Sequence, residues 1–151
     1  MIYLSFYSKN ERISKENSTA QKYTFYEILN SKNDADLDVQ DLKQRCLMPG
    51  LYNIHLARWL NEFNSRQLFL VDFELFEKEP NFYSKNLQEF LGLKSLVDFE
   101  SLKSNLESQY ENFEKIDDDS LSYLQKFYVE PNRQLLNLLK NFNFNPPEWL
   151  N

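Results

Sequence analysis

The stretch SRQLFLVDFELF, Ser65–Phe76, decides how this chain is read. Within it, Leu68, Phe69, Leu70 and Val71 form a continuous apolar run between polar flanks, the pattern of a β-strand buried on both faces of a parallel sheet. Such a strand needs neighbours on both edges, because each buried N–H or C=O left unpaired costs about 1–3 kcal/mol. No other segment of the sequence reads as a strand. The run therefore predicts one central parallel strand of an α/β domain whose companion strands lie outside these 151 residues, in a preceding portion.

Around that strand the chain reads as predominantly helical, with only two glycines, Gly50 and Gly92, and few β-branched runs. Thr24–Asn30 predicts one or two apolar-faced helical turns, and the polar SKNDADLD after it a loop. Val39–Leu47 spaces Val39, Leu42 and Cys46 on one helical face, Pro49 and Gly50 punctuate, and a helix from Tyr52 to Phe63 follows. Beyond the strand, Pro80 opens a helix carrying Phe82, Tyr83, Leu87, Phe90 and Leu91, with Gly92 as its stop. The acidic segment KSNLESQYENFEKIDDD reads as a loop. A last amphipathic stretch, Leu121 to Phe142, is capped by Asp119 or Ser120, and Pro131 kinks it or opens a second helix.

Composition sets outer bounds on function. An apolar fraction of 42% with 13 Phe and 9 Tyr suits a globular domain. Seventeen Lys and Arg against 23 Asp and Glu give a net charge of −6, which argues against broad electrostatic binding of nucleic acid. The single cysteine, Cys46, can form neither an internal disulfide nor a thiolate zinc cluster, and reads as a small buried apolar residue. No apolar run approaches the roughly 20 residues of a membrane span, and the start MIYLSFYSKNER lacks the order of a signal peptide. These patterns predict a soluble, unexported chain.

The only histidine, His55, shares a helical stripe with Tyr52, Leu56, Trp59, Leu60 and Phe63. On spacing alone it is either a hydrogen-bonded histidine at the edge of an apolar face or a chemical group facing a substrate. Arg45 and Arg58 read as solvated cations or packed stems. Asp117–Asp119 lacks the glycine and alternation of a calcium loop and reads as a helix-initiating acidic cluster. Trp59 and Trp149 read as core or domain-edge anchors.

Four segments in collinear order carry a family resemblance: QKYTFYEIL; the run from LKQRCLMPGLYNIHLARWLNEF through FLVDFELFEKEPNFYSKNLQEFLGL; DDDSLSYLQKFYVEPNRQLLNLLKNF; and PPEWL. Its most specific parts are the Arg-Cys-Leu and Pro-Gly run into Tyr-x-x-His-x-x-x-Trp-Leu, and the Phe-Tyr-x-x-x-Asn ending. Together they resemble the C-terminal part of the sulfotransferase domain of heparan sulfate N-deacetylase/N-sulfotransferases.

That resemblance implies an α/β, three-layer fold similar to P-loop kinases, with residues 1–151 as a partial sulfotransferase domain lacking its donor-binding half. It implies transfer of a sulfonate from 3′-phosphoadenosine 5′-phosphosulfate to the glucosamine amino group of heparan sulfate, in the Golgi lumen. His55 falls on a histidine of the family's active-site cleft, and Ser5 on the serine that contacts the donor's 3′-phosphate. No metal is implied.

The departures are as informative. The family's Gly-rich loop ending Lys-Thr-Gly, which holds the 5′-phosphosulfate, has no counterpart here. An arginine that accompanies the serine belongs upstream of Ser5. Where the family has a cysteine-bridged loop and a basic Lys-Gly-Arg turn, this sequence has SQYENFEKIDDD. The chain alone is therefore expected to be inactive, since positioning and charge stabilisation of the transferring group depend on the missing parts. A non-catalytic helical interaction module, or truncated pseudoenzyme, is the competing expectation.

Overall fold

A computed structural model describes residues 22–32, 35–94 and 116–150. The described residues fall into two units, one of residues 60–94 and one joining the chain up to Trp59 with residues 116–150. The larger unit begins with a reciprocal cap at Thr24. The Thr24 hydroxyl accepts the Glu27 N–H at 3.3 Å, and Glu27 Oε2 accepts the Thr24 N–H at 2.7 Å. This satisfies two of the donors that a helix start leaves open and launches helix α1, Phe25–Leu29, which buries Ile28 and Leu29.

Helix α2, Leu37–Leu47, starts two residues before the expected Val39 because Asp36 caps it, accepting the Asp38 N–H at 3.4 Å. Val39, Leu42, Cys46 and Leu47 are its buried face, as their spacing predicts. Pro49 and Gly50 then fall in a single 3₁₀ turn, Met48–Gly50, before α3, Tyr52–Glu62.

In the smaller unit the central strand is not formed. Asn64 caps a 3₁₀ turn at Ser65–Gln67, and the chain leaves it extended at Leu68, with φ −111° and ψ 128°. No strand is present among the described residues, and Leu70 and Val71 are 41% and 48% exposed. The expected strand is not formed by the described residues alone. Extended backbone becomes a strand only when a second segment supplies its hydrogen bonds, and none of the described segments does.

After the extended segment, Asp72 accepts the N–H groups of Glu74 at 3.0 Å and Leu75 at 3.4 Å and opens a short helix, α4, Phe73–Lys78, which the apolar spacing did not reveal. Helix α5, Pro80–Phe90, begins on its proline and stops at Gly92 as expected. Gly92 takes φ +67°, and the Leu93 N–H reaches the Gln88 carbonyl at 2.9 Å while the Gly92 N–H reaches Glu89 at 3.1 Å. This paired closure needs a left-handed residue, which glycine supplies without steric cost. Phe76 and Tyr83 meet edge-on at 6.4 Å, and Phe69 contacts Phe90 at 5.3 Å.

Back in the larger unit, α6 runs from Asp118 to Asn141, with Pro131 inside it rather than opening a second helix. The proline removes the bond that would end on the Phe127 carbonyl, and the stripe Leu124, Tyr128, Leu135 and Leu139, buried along its length, offsets that loss. The cap is Asp117, not Asp119 or Ser120: its carboxylate accepts the Ser120 N–H at 2.7 Å. Asp118 and Asp119 therefore lie in the first turn, where negative charge opposes the positive end of the helix dipole. Most of the predicted acidic loop, residues 103–115, lies outside the described residues. The core gathers Ile28, Leu29, Leu42, Cys46, Leu47, Leu51, Leu124 and Tyr128, with Ile54 and Phe127 packed against it.

The two carboxylate caps make this helical packing acid-sensitive. Burial raises the Asp117 carboxyl, but the hydrogen bond from the Ser120 backbone N–H and the neighbouring amides outweigh it, so the group sits below its ordinary value. Glu27 is held below its ordinary value by the Thr24 backbone N–H and then by the Thr24 hydroxyl. A carboxyl whose pKa is depressed by folding stabilises the native state above its unfolded pKa and loses that contribution as the pH falls through the folded value. Urea midpoints are therefore expected to fall below about pH 4. Asp117→Asn, which keeps an acceptor but cannot titrate, is expected to flatten that decline; an equally steep decline would remove Asp117 from the account.

Candidate functional site

The candidate site is built where α2 gives way to α3. The 3₁₀ turn exposes its carbonyls on the inner side of the bend, and side chains from two other helices take two of them in succession. Tyr128 of α6, buried, donates its hydroxyl to the Leu47 carbonyl at 2.7 Å. His55, one turn into α3 and half-buried, places Nε2 at 3.0 Å from the Met48 carbonyl, which also accepts the Leu51 N–H at 3.1 Å. A carbonyl can only accept, so Nε2 carries the proton and, in the neutral ring, Nδ1 carries the lone pair. His55 is thus the hydrogen-bonded histidine that one of its two readings described, with its other ring nitrogen left as an acceptor.

Gly50 makes this arrangement possible. A Cβ at that position would fall 2.7 Å from Cζ of Tyr128, and closer still to its hydroxyl. The turn and the tyrosine approach each other more closely than any other residue type permits. Neither Gly50 nor Tyr128 stood out in the sequence as part of a site. The available signals were that Gly50 follows a proline and that both residues fall in the most specific parts of the family resemblance, the Pro-Gly run and the Phe-Tyr-x-x-x-Asn ending.

Tyr52 and Trp59 lie on the same side of α3 as His55, three and four positions away. Trp59 is 56% exposed and Trp149 39%, so neither is the core residue that one of their two sequence readings allowed. On the other side of the helix, Asn53 donates to Gln134 of α6 at 2.8 Å and ties the two elements together. Ser5 lies outside the described residues.

A donor bearing a 3′-phosphate and a 5′-phosphosulfate requires several cations aimed at one place. The cations whose partners are defined serve local ends instead. Arg133 pairs with both carboxylate oxygens of Glu130 at 2.8 Å, Arg45 lies 3.8 Å from Asp41, and Lys43 donates to the Ser31 carbonyl at 2.8 Å beside the Tyr123 ring. These pairings do not make the convergent set that such a donor needs. Among the described residues, no three of His, Cys, Asp and Glu are grouped to hold a metal ion, and no helix is long and apolar enough to cross a membrane.

Comparison with known proteins decides the family. Residues 2–138 match the family described as the sulfotransferase domain. The chain belongs to that family. Its match takes in α1 through α5 and most of α6, so the His55 and Tyr128 constellation is part of the sulfotransferase domain. The bifunctional heparan sulfate N-deacetylase/N-sulfotransferase 1 of Xenopus tropicalis is 29% identical over 154 residues, covering 89% of this chain and 18% of the relative. The human protein of the same description is 28% identical over the same length and shares. The bifunctional heparan sulfate N-deacetylase/N-sulfotransferase of Drosophila melanogaster is 30% identical over 151 residues, 87% of this chain and 14% of the relative. The chain therefore spans less than a fifth of the length of the curated relatives it matches.

Proposed function

We propose that this sulfotransferase domain acts on the acceptor side of sulfonate transfer to the glucosamine amino group of heparan sulfate, with 3′-phosphoadenosine 5′-phosphosulfate as the donor. The observation that carries the proposal is the match over residues 2–138, which includes the His55 helix. His55 Nδ1 is the proton acceptor for the attacking amine, a role that asks for an unprotonated ring nitrogen within hydrogen-bond reach of the nucleophile. The donor rests on the family alone, and no step is assigned to residues that would hold it.

The same reading makes Leu68–Val71 an inner strand of a P-loop kinase-like, three-layer sheet. Two observations support it. Among the described residues Phe69, Leu70 and Val71 have no main-chain hydrogen bond to another segment. Helix α5 buries Ser84 and Gln88 while Phe82 and Phe90 are exposed, the inverse of a finished amphipathic helix.

The 151-residue chain by itself is expected not to transfer sulfonate, and this is checked by incubating it with labelled donor and N-deacetylated heparan sulfate. Donor-dependent labelling would overturn that expectation. The second reading, a non-catalytic helical module, is favoured by the local use of Arg133, Arg45 and Lys43. Calorimetric titration with 3′-phosphoadenosine 5′-phosphate separates the two, because micromolar binding belongs to a retained donor site and absence of heat to the module.

A further inference from the structure

Leu47 and Met48 present neighbouring carbonyls, and their two side-chain partners come from α6 and α3. The two carbonyls belong to successive peptide units hinged at the Met48 Cα, so a rotation of the first changes where the second points, and the two side chains are coupled through one residue. Tyr128 is the stiffer partner. Its ring is 4% exposed, it lies edge-on to Phe127 at 4.9 Å, and it fills the space that Gly50 leaves. His55 is half-buried and swings on a single helix. Local control therefore runs from Tyr128 to His55.

We propose that Tyr128 is a positioning residue: by holding the Leu47 carbonyl it fixes the backbone on the N-terminal side of Met48, and with it the direction of the Met48 carbonyl, which holds His55 as the Nε2–H tautomer and leaves Nδ1 as the basic nitrogen. Its importance for sulfonate transfer rests on the role given to His55 above, but the coupling itself does not. The turn's own backbone bonds, from the Met48 N–H to the Gln44 carbonyl and from the Leu51 N–H to the Met48 carbonyl, bracket Met48 but leave the Leu47 carbonyl to a side chain. The buried hydroxyl, donated from 81 positions along the chain, supplies the missing constraint.

The test uses the fact that His55 is the sole histidine. Its ring nitrogens give one uncluttered pair of nitrogen-15 resonances in the full chain, and at a pH where the imidazole is neutral their shifts report the tautomer ratio. The native chain is expected to show the Nε2–H form almost alone. In Tyr128→Phe, which keeps the ring and removes only the hydroxyl, the share of the Nδ1–H form is expected to rise about three- to tenfold, the range set by the net worth of one hydrogen bond. Gly50→Ala, which displaces the tyrosine, is expected to do the same. Leu139→Val, a change at a buried residue of α6 eleven positions beyond Tyr128 and outside its cluster, is expected to lower the melting midpoint and leave the ratio alone.

Two results would overturn the proposal: a native ratio like that of a free histidine side chain, which needs no variant to fold, or a ratio that Tyr128→Phe and Leu139→Val shift equally. The measurement requires neither donor nor acceptor. A failure of the sulfonate-transfer reading leaves it interpretable, and its own failure leaves that reading standing.

Discussion

His55→Gln is expected to lower N-sulfation by about 10²- to 10⁴-fold, the usual contribution of a positioned general base. The assay calls for a protein with a donor site, and a chimera in which this chain replaces the matching region of the Drosophila melanogaster relative provides one. Glutamine is the informative substitute because its amide nitrogen reaches as far as Nε2 and can still donate to the Met48 carbonyl. It keeps the clamp and removes the base. His55→Ala removes both and is expected to lose activity and some stability together. If His55→Gln retains near-native rates while His55→Ala does not, the histidine is a structural tie and the proton acceptor lies elsewhere.

Leu124→Ala is expected to be the most damaging single truncation. Leu124 is fully buried at the centre of the cluster formed by α1, α2 and α6, where Leu29, Leu42 and Tyr128 surround it. Leucine-to-alanine changes at such sites cost about 2–5 kcal/mol, because the lost transfer energy is joined by that of a cavity the neighbours fill only in part. Against a total stability of about 5–15 kcal/mol this is a large fraction, and the melting midpoint is expected to fall by on the order of 10 °C. Leu37→Ala is the matched control: Leu37 is 79% exposed at the first position of α2, and its loss is expected to shift stability by no more than about 0.5 kcal/mol. Equal losses from the two variants would mean that the cluster around Leu124 is not the core.

The helices were largely legible in the chain. Thr24 with Glu27, Pro80, Gly92 and the apolar spacing of Val39, Leu42 and Cys46 each declare a boundary or a face within a few residues of where it acts. The errors were local as well. Asp117, Asp118, Asp119 and Ser120 are all acceptable caps by type, and which one is used depends on where the first buried residue of α6 must point. Pro131 reads as an interruption until the buried stripe on both sides of it is seen to continue.

The candidate site was legible only in part. His55 stands out as the sole histidine on an aromatic helical face, yet its partner at Met48 and the tyrosine behind that turn were not foreseen. The amino-acid sequence by itself determined most of the helical elements and the family, because a helix bonds each residue to one four places away and so writes its requirements into neighbouring positions. Only the tertiary structure decided that Tyr128 reaches Leu47, that Gly50 must lack a side chain, and that the backbone of Phe69, Leu70 and Val71 pairs with no other segment among the described residues. Those outcomes depend on which distant segments meet, and a strand edge or a buried hydroxyl is satisfied by whatever partner the fold brings to it rather than by its neighbours in the chain.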